Sequence, residues 1–570
     1  MDDLMSASAT GEGNLVVLLG SKTGRDGIHG ATFASDELTE ESESKRSNVQ
    51  VGDPFSEKML IECCLKLLDE DLLVSLQDLG AAGITSSASE MAAKGGVGIE
   101  IETDKVPLRE SGMEPWEVMI SESQERMLAV VEPEKVEEVL KFAERYGLIG
   151  AVVGRVADHG DLRVIHNGEV VGTVPAEHLA DAPVYERDVL RPQYLDDVQE
   201  LDVSELPEPE DYNAVLLQVL GHPNLCSRRQ IFTQYDHQVG TDTVVLPGAD
   251  AAVMRIKDTK LGFAATTDGR GRHCYLDPRG GGAATVAEAY RNLSCVGAEP
   301  VAVTDCLNFG SPEKPDGYYQ LAECIEGMSE ACEVFGTPVV SGNVSLFNET
   351  EHGAVYPTPT VGMVGVFEDV NRHATPGFKR EGDMVVVIGA SSGSSESRRE
   401  SPLAGSNYLE IVHDKVAGRP PVPDLPAEKR TADLVRGMIS SGLLDTVHDI
   451  SGGGEAAALA KMALAGGVGF EYEELEIEDL KNNGILLETL FGEQGAGFLV
   501  SVPEARWTEL EDALGCYEEG KPIIGYDVVG RTGGSSFKMG GLIDLSLDEL
   551  REAYERDLFE RHAPEGGHIG

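Results

Sequence analysis

Apolar residues in this chain fall into two rhythms. Short unbroken runs closed by glycine predict buried strands: residues 14–20 (NLVVLLG) form the first, and 383–389 (DMVVVIG) repeat it 369 residues later. Elsewhere the apolar positions recur at helical spacing. Leu60, Cys63, Cys64, Leu67 and Leu68 make one face of a helix that begins with Asp53 as N-cap and Pro54 as its first residue. Residues 73–76 then read as a strand with Asp78 just past its end, followed by a tightly packed Gly-, Ala- and Ser-rich helix to Lys94. A polar run, 122–126 (ESQER), leads into a strand over 127–131. A helix over 134–147 and strands over 151–156 and 162–166 complete this first module, which ends near Asp188.

The pattern then returns. Displaced by 371 residues, Asp78 falls on Asp449, Gly83 on Gly454, Met91 on Met462 and the run 95–98 (GGVG) on 466–469, giving 8 identities in the 21 positions of 78–98. The same register sets Glu122 on Glu493. So long a period excludes a solenoid and predicts a duplicated domain with an insertion between its copies. Residues 190–211, rich in Pro, Asp and Glu without periodicity, read as a linker. The stretch 213–369 has no second copy. Its apolar pattern predicts strands over 243–246, 252–256 and 262–267, a helix over 283–296, a strand over 301–305, a helix over 318–335 and strands over 338–341 and 355–367. That order is an α+β layer of the split β-α-β type. One face of its second helix carries Leu321, Cys324, Ile325, Met328, Cys332 and Phe335, which makes those cysteines core.

Composition narrows the function classes. A chain of 570 residues with 41% hydrophobic side chains can fill several packed cores. With 99 acidic against 46 basic residues, its formal charge of −53 argues against nucleic acids and anionic membranes as partners. The acids are spread along the chain, as on a solvated surface suited to high internal salt. Nine cysteines without a C-x-x-C pair point to free thiols in a reducing cytoplasm. No apolar run approaches the ~20 residues needed to span a bilayer, and the acidic N-terminus is unlike a signal peptide, so a soluble cytoplasmic protein is expected.

Candidate chemistry gathers where strands end. Gly24, Gly27 and Gly30 lie in a loop that lacks the Gly-Lys-Ser/Thr ending of a Walker motif; they serve either a structural turn or an approach of backbone N–H groups to a phosphate. Asp78 reads as the N-cap of the helix that follows, or as a ligand at the C-terminal end of a strand. The 122–126 run is a site or a solvated turn. Thr266-Thr267-Asp268, Thr304-Asp305 and the run 341–345 (SGNVS) sit at predicted strand ends, where Asp250, Asp268 and Asp305 are candidates to share magnesium.

Seven stretches in order carry a resemblance: 24–31 (GRDGIHGA), 49–54 (VQVGDP), 77–83 (QDLGAAG), 122–126 (ESQER), 305–310 (DCLNFG), 312–315 (PEKP) and 341–345 (SGNVS). Together they closely resemble the phosphoribosylformylglycinamidine synthase family in its small PurL-type synthetase subunits, over nearly the whole chain. The resemblance implies an internally duplicated α+β architecture shared with aminoimidazole ribonucleotide (AIR) synthetase and selenophosphate synthetase. In it, 1–188 and 373–570 are AIR-synthetase-like C-terminal-type domains, 189–212 an acidic linker and 213–372 an N-terminal-type domain, the first N-terminal-type domain being missing. It also implies ATP-dependent conversion of formylglycinamide ribonucleotide (FGAR) and ammonia to formylglycinamidine ribonucleotide (FGAM), with magnesium neutralising the phosphates. The sequence has no Gly-x-Cys-x-Gly nucleophile elbow of a glutaminase. The implied partners are a separate PurQ-type glutaminase subunit and a small dimeric PurS-type scaffold.

Position by position, Gln50, Glu122, Ser123, Gln124 and Ser345 match the family's substrate-binding residues. Asp305 and Gly342 match ATP contacts, and Asp78 and Asn343 match magnesium ligands. The second copy departs from the pattern, since Gln124 aligns with Gly495; one competent site beside a degenerate partner is implied. The family's general-base histidine belongs to the N-terminal domain absent here, and His29, inside the glycine motif, takes a structural role instead. No catalytic residue is therefore assigned within the chain. The expectation is a fragment inactive or poorly folded alone, with a nucleotide-binding scaffold of the same fold as the alternative to the ligase.

Overall fold

In the computed structural model the apolar runs assemble into three large sheets. The structure describes residues 4–28, 52–181, 184–185, 187–201, 206–351, 353–389, 400–472, 477, 480–482, 484–493, 497–515, 517–518, 521–522, 524–556 and 558. Two compact units are present, Met1–Arg187 and Asp188–Gly570.

The first unit holds one seven-stranded sheet. Strands β1 (Leu15–Gly20), β2 (Ser75–Asp78), β3 (Gly98–Glu102), β4 (Arg126–Val131), β5 (Ile149–Ala157), β6 (Asp161–His166) and β7 (Glu169–Pro175) lie in the order β2-β4-β1-β5-β3-β6-β7. The run that forms β1 is apolar at every position because both its faces are covered. Val16 and Leu18 pack among Ile84, Ala88 and Met91 of α2 (Gly83–Gly95). Val17 and Leu19 pack on the other side, among Leu60, Cys63 and Leu67 of α1 (Pro54–Asp69) and Val139 and Ala143 of α3 (Val136–Arg145). Helix α1 starts as its sequence dictates, with Asp53 accepting hydrogen bonds from the N–H groups of Phe55 and Ser56.

The second unit contains the other two sheets. Ahead of them lie α4 (Tyr194–Val198) and α5 (Tyr212–Leu220). Strands β8 (Thr243–Val245), β9 (Ala252–Arg255), β10 (Gly262–Gly269), β11 (Glu299–Asn308), β12 (Val339–Ser345) and β13 (Thr358–Phe367) form a sheet in the order β12-β11-β13-β10-β9-β8. β11 and β12 run parallel, and β13 is antiparallel to both β11 and β10. Helices α6 (Pro278–Val296) and α7 (Pro315–Phe335) bury Val286, Tyr290, Leu293 and Met328 against Val361 and Met363 of β13.

The last sheet is the predicted second copy. Its strands are β14 (Met384–Ile388), β15 (Val447–Asp449), β16 (Phe470–Tyr472), β17 (Phe498–Val502), β18 (Tyr526–Thr532), β19 (Ser536–Met539) and β20 (Ile543–Ser546), ordered β15-β17-β14-β18-β16-β19-β20. Matched strand for strand, this is the order of the first sheet. Between α8 (Leu425–Ser440) and the end of the chain, α9 (Gly454–Gly466) begins and ends 371 residues after α2.

Several expectations need correction. The Pro- and acid-rich segment is not featureless: α4 lies within it, Leu195 is buried, and Tyr194 and Gln199 donate to the carbonyls of Tyr275 and Leu276. Helix α6 begins at Pro278, five residues earlier than its apolar pattern indicates. Its glycines are packing positions, since a Cβ on Gly281 or Gly282 would lie 2.4 Å from the backbone of Cys274 or Cys324. Ile325 is 40% exposed, off the buried face of α7. Strand β12 continues through the whole 341–345 run instead of ending before it. The eight described cysteines are free, and no helix among the described residues is long and apolar enough to cross a membrane.

Candidate functional site

In the first unit the 122–126 run is a buried wall, not a solvated turn. Glu122, Ser123 and Arg126 are 7%, 2% and 3% exposed. Arg126 builds the wall: its Nε donates to the Ser123 carbonyl (2.7 Å), Nη1 to Thr23 Oγ1 (2.8 Å) and Nη2 to the Ser121 carbonyl (2.6 Å). Burial pulls its pKa down to about 10, with Asp26 acting in the opposite sense. The glycine loop is tied to the same wall. Gly24 N–H donates to Ser123 Oγ (2.9 Å), Ser121 Oγ to the Gly24 carbonyl (2.6 Å), and Ser123 Oγ bonds the Asp26 carboxylate. Gly27, at φ +64°, must lack a side chain because a Cβ there would sit 2.6 Å from Glu122. Gln124 folds its amide onto the Glu122 carbonyl (2.8 Å).

Asp78 stands at the end of β2, its residue paired with Met127 of β4. It is not the helix cap. Ala82 occupies that position in the left-handed region (φ 59°) without any side-chain bond, and its N–H donates to Glu122 Oε1 (3.1 Å). The exposed Asp78 carboxylate makes no hydrogen bond or ion pair to a described residue, which leaves a hard oxygen donor of the kind magnesium takes. The 77–83 and 122–126 runs thus meet through one bond from Ala82 to Glu122. Gln50 and His29 lie outside the described residues.

In the second unit, neighbouring parallel strands collect Asp305, Gly342, Asn343 and Ser345. The register pairs Asp305 with Gly342, Cys306 with Asn343 and Asn308 with Ser345. A Cβ on Gly342 would lie 2.2 Å from Asp305 Oδ1, so glycine is what lets the carboxylate lie against β12. Burial raises the Asp305 pKa. Asn343 is exposed and Ser345 half-buried.

The carboxylates expected to share one ion are instead drawn to separate partners. Asp250 Oδ1 lies 2.6 Å from His448 Nδ1. Asp268 accepts from Asn292 Nδ2 (2.8 Å) and Thr266 Oγ1 (3.0 Å), while Asp305 lies on Gly342. Among the described residues, the carboxylate and imidazole groups close enough to hold an ion together are Asp250, His448 and Asp449. Long-range pairing, invisible in the local pattern, decides this.

The second copy keeps the frame of the wall and changes its chemistry. Glu493 Oε1 accepts from Gly453 N–H (2.9 Å), the same bond as Glu122 with Ala82, and also from Asn407 N (2.7 Å) and Nδ2 (2.6 Å). Gly495 lies outside the described residues. Asp449, twin of exposed Asp78, is 2% exposed. Buried Arg291 is 2.9 Å from Glu428 and 3.9 Å from Asp449. Burial, then Asp250, pushes Asp449 up to about 6. At His448 burial disfavours the charge, but Asp250 outweighs it and the pKa is raised. Where the first copy has Gln77 and Glu90, the second has His448 and Lys461. Local patterning did not single out Arg126, Arg291, His448 or Lys461; a charged residue inside an apolar strand pattern was the available signal for Arg126.

Comparison with known proteins agrees with this layout. The family model for the C-terminal domain of AIR synthase related proteins matches twice, over 11–167 and 380–535, and the model for their N-terminal domain matches 248–367. The subunit PurL of phosphoribosylformylglycinamidine synthase from Moorella thermoacetica is 50% identical over 562 residues, which is 98% of this chain and 74% of that relative. A solved structure of Thermotoga maritima PurL complexed with FGAR matches with TM-score 0.67 and 32% identity, covering 94% of this chain and 74% of the other. The same enzyme complexed with ATP matches with TM-score 0.64 and 30% identity, covering 94% and 73%.

Proposed function

Because this chain belongs to the family of phosphoribosylformylglycinamidine synthase PurL subunits, we propose that its Glu122 wall binds substrate and that strands β11 and β12 carry ATP, metal and substrate ligands. The reaction is the ATP-dependent synthesis of FGAM from FGAR and ammonia in purine biosynthesis, releasing ADP and phosphate. The observation that carries this reading is the 50% identity with a PurL subunit across 562 residues. In it, 1–188 and 373–570 are the paired C-terminal-type domains and 213–372 the N-terminal-type domain.

The chemistry needs the amide oxygen of FGAR to become a leaving group. The γ-phosphoryl group passes to that oxygen, ammonia adds to the carbon, and phosphate departs, so the protein's task is positioning and charge stabilisation. Glu122, Ser123 and Gln124 present a carboxylate, a hydroxyl and an amide for FGAR from a wall that Arg126 holds rigid. Gln50 and Ser345 are further substrate contacts, and Asp305 and Gly342 contact ATP. Asp78 and Asn343 each offer an exposed oxygen to magnesium, which when bound supplies neutralising charge to the phosphates. Ammonia comes from a separate glutaminase subunit joined through a small dimeric scaffold subunit, in the cytoplasm.

The test measures ADP release by the chain with ATP, magnesium, FGAR and ammonium chloride, together with calorimetric FGAR binding. FGAR-dependent signal is expected in the parent, with Glu122→Gln weakening FGAR binding by about tenfold, as for a lost charge-assisted hydrogen bond. Neither FGAR-dependent turnover nor FGAR binding would defeat the reading.

A further inference from the structure

The second copy opens onto a cavity of about 600 Å³ whose cationic side chains have no part in the proposed reaction. Arg228, Arg270, Arg272, His273 and Lys461 line it, together with Glu493. In a chain with 46 basic against 99 acidic residues, four cationic side chains converging on one cavity is a departure from the surface pattern.

The neighbouring acids are already engaged. Glu288 pairs with Arg270, and Glu410 pairs with Arg272 while accepting from Asn224 Nδ2 (3.0 Å). One oxygen of Glu493 accepts the three N–H donors described above. Two cations are left over. Arg228, which is exposed, bonds only its neighbour Cys226, at the carbonyl (2.7 Å) and the sulfur (3.4 Å). Lys461 makes no hydrogen bond or ion pair to a described residue, and its position in the first copy is held by Glu90.

His273 supplies an independent pointer. It is 4% exposed, and Arg270 Nη1 lies 2.9 Å from its Nδ1. A guanidinium can only donate, so Nδ1 accepts and the ring hydrogen sits on Nε2. Burial and the two adjacent guanidinium groups hold the ring neutral. Its Nε2 is buried without a hydrogen-bond partner among the described residues. It lies beside Gly405, another residue of the cavity lining, where a Cβ would come within 3.3 Å of it. A buried donor lacking an acceptor calls for one.

We propose that this cavity binds a small dianionic phosphate monoester of sugar-phosphate size. Two unpaired cations match a dianion, guanidinium and ammonium groups suit phosphate oxygens, and the volume lies in the range of small-molecule pockets. The assignment stands apart from the reaction proposed for the first copy.

Calorimetric titration of the full chain with ribose 5-phosphate tests it, together with mass-spectrometric measurement of reductive methylation at Lys461. Ribose 5-phosphate binds and slows Lys461 modification, whereas ribose does neither. Arg228→Gln, an exposed change without consequence for folding, weakens binding by about tenfold, as does Lys461→Glu. Absence of binding overturns the proposal. So does binding that leaves Lys461 modification and the Arg228→Gln affinity unchanged, because such binding belongs elsewhere on the chain. Equal protection by the carboxylate gluconate overturns the assignment to phosphate.

Discussion

Glu455 is a carboxylic acid at a position where its twin in the first copy, Ile84, is a hydrocarbon. It is 6% exposed, hydrogen-bonded to Tyr472, and its Oε1 has no partner among the described residues. Burial pushes its pKa from 4.5 up to about 7. The sign of the linkage follows: below about pH 4.5 the group is protonated whether folded or not, and as the pH rises the unfolded chain ionises first. Stability is therefore lost between about pH 4.5 and 7, by roughly 2–3 kcal/mol at about 1.4 kcal/mol per unit. Melting curves of the parent and Glu455→Gln at pH 5 and pH 8 should diverge, with the variant gaining at pH 8; identical shifts would show that Glu455 is not the origin. Glu455→Ile, copying the twin, should gain at least as much. Gly342→Ala acts on function instead. Its methyl would lie 2.2 Å from Asp305 Oδ1, so the carboxylate must swing away, and a raised KM for ATP with unchanged FGAR binding is expected.

At the level of elements, the turn into α2 and its copy into α9 set the wall. Gly83 has φ +54° and a Cβ there would lie 2.0 Å from the Ser121 carbonyl; Gly454 has φ +72° with its closest backbone contact at 2.7 Å. Gly83→Ala combines left-handed strain with a backbone clash and should cost about 2–4 kcal/mol, and Gly454→Ala less. The midpoint of urea unfolding reads both, and equal midpoints for parent and Gly83→Ala would refute the close approach. These twin glycines were visible in the sequence because duplication repeats them in register. Strand β1 was legible too, since burial on both faces writes an unbroken apolar run. Strand β12 was cut short because Ser341, Gly342 and Asn343 are exposed and polar, so no periodicity marks them. Helix α6 was started late because helix propensity counts Gly280, Gly281 and Gly282 as breakers, whereas close packing against Cys274 and Cys324 overrides that. In the site, the 122–126 run was found as a motif. What it does physically depends on Arg126 reaching Thr23, a contact spanning 103 positions that no local window contains.

Across the whole molecule the formal charge of −53 outweighs any single contact. Exposed pairs such as Lys66–Glu70 and Lys135–Glu132 neutralise a few acids, but each is worth about 0–1 kcal/mol and weakens with salt. The acids in excess repel one another over a screening length of about 10 Å at 0.1 M salt and about 3 Å at 1 M. Repulsion among many unpaired charges falls with salt faster than a handful of surface pairs is lost. The melting temperature should therefore rise between 0.1 M and 1 M potassium chloride, and a flat or falling curve would reject the reading of an acidic surface suited to high salt. The buried pair Arg291–Glu428, 1% exposed on both sides, supplies the internal control. Glu428→Gln leaves Arg291 without its closest carboxylate and should cost about 3–5 kcal/mol. Because ions do not reach that pair, the cost should be the same at both salt concentrations while the melting temperatures of parent and variant rise together.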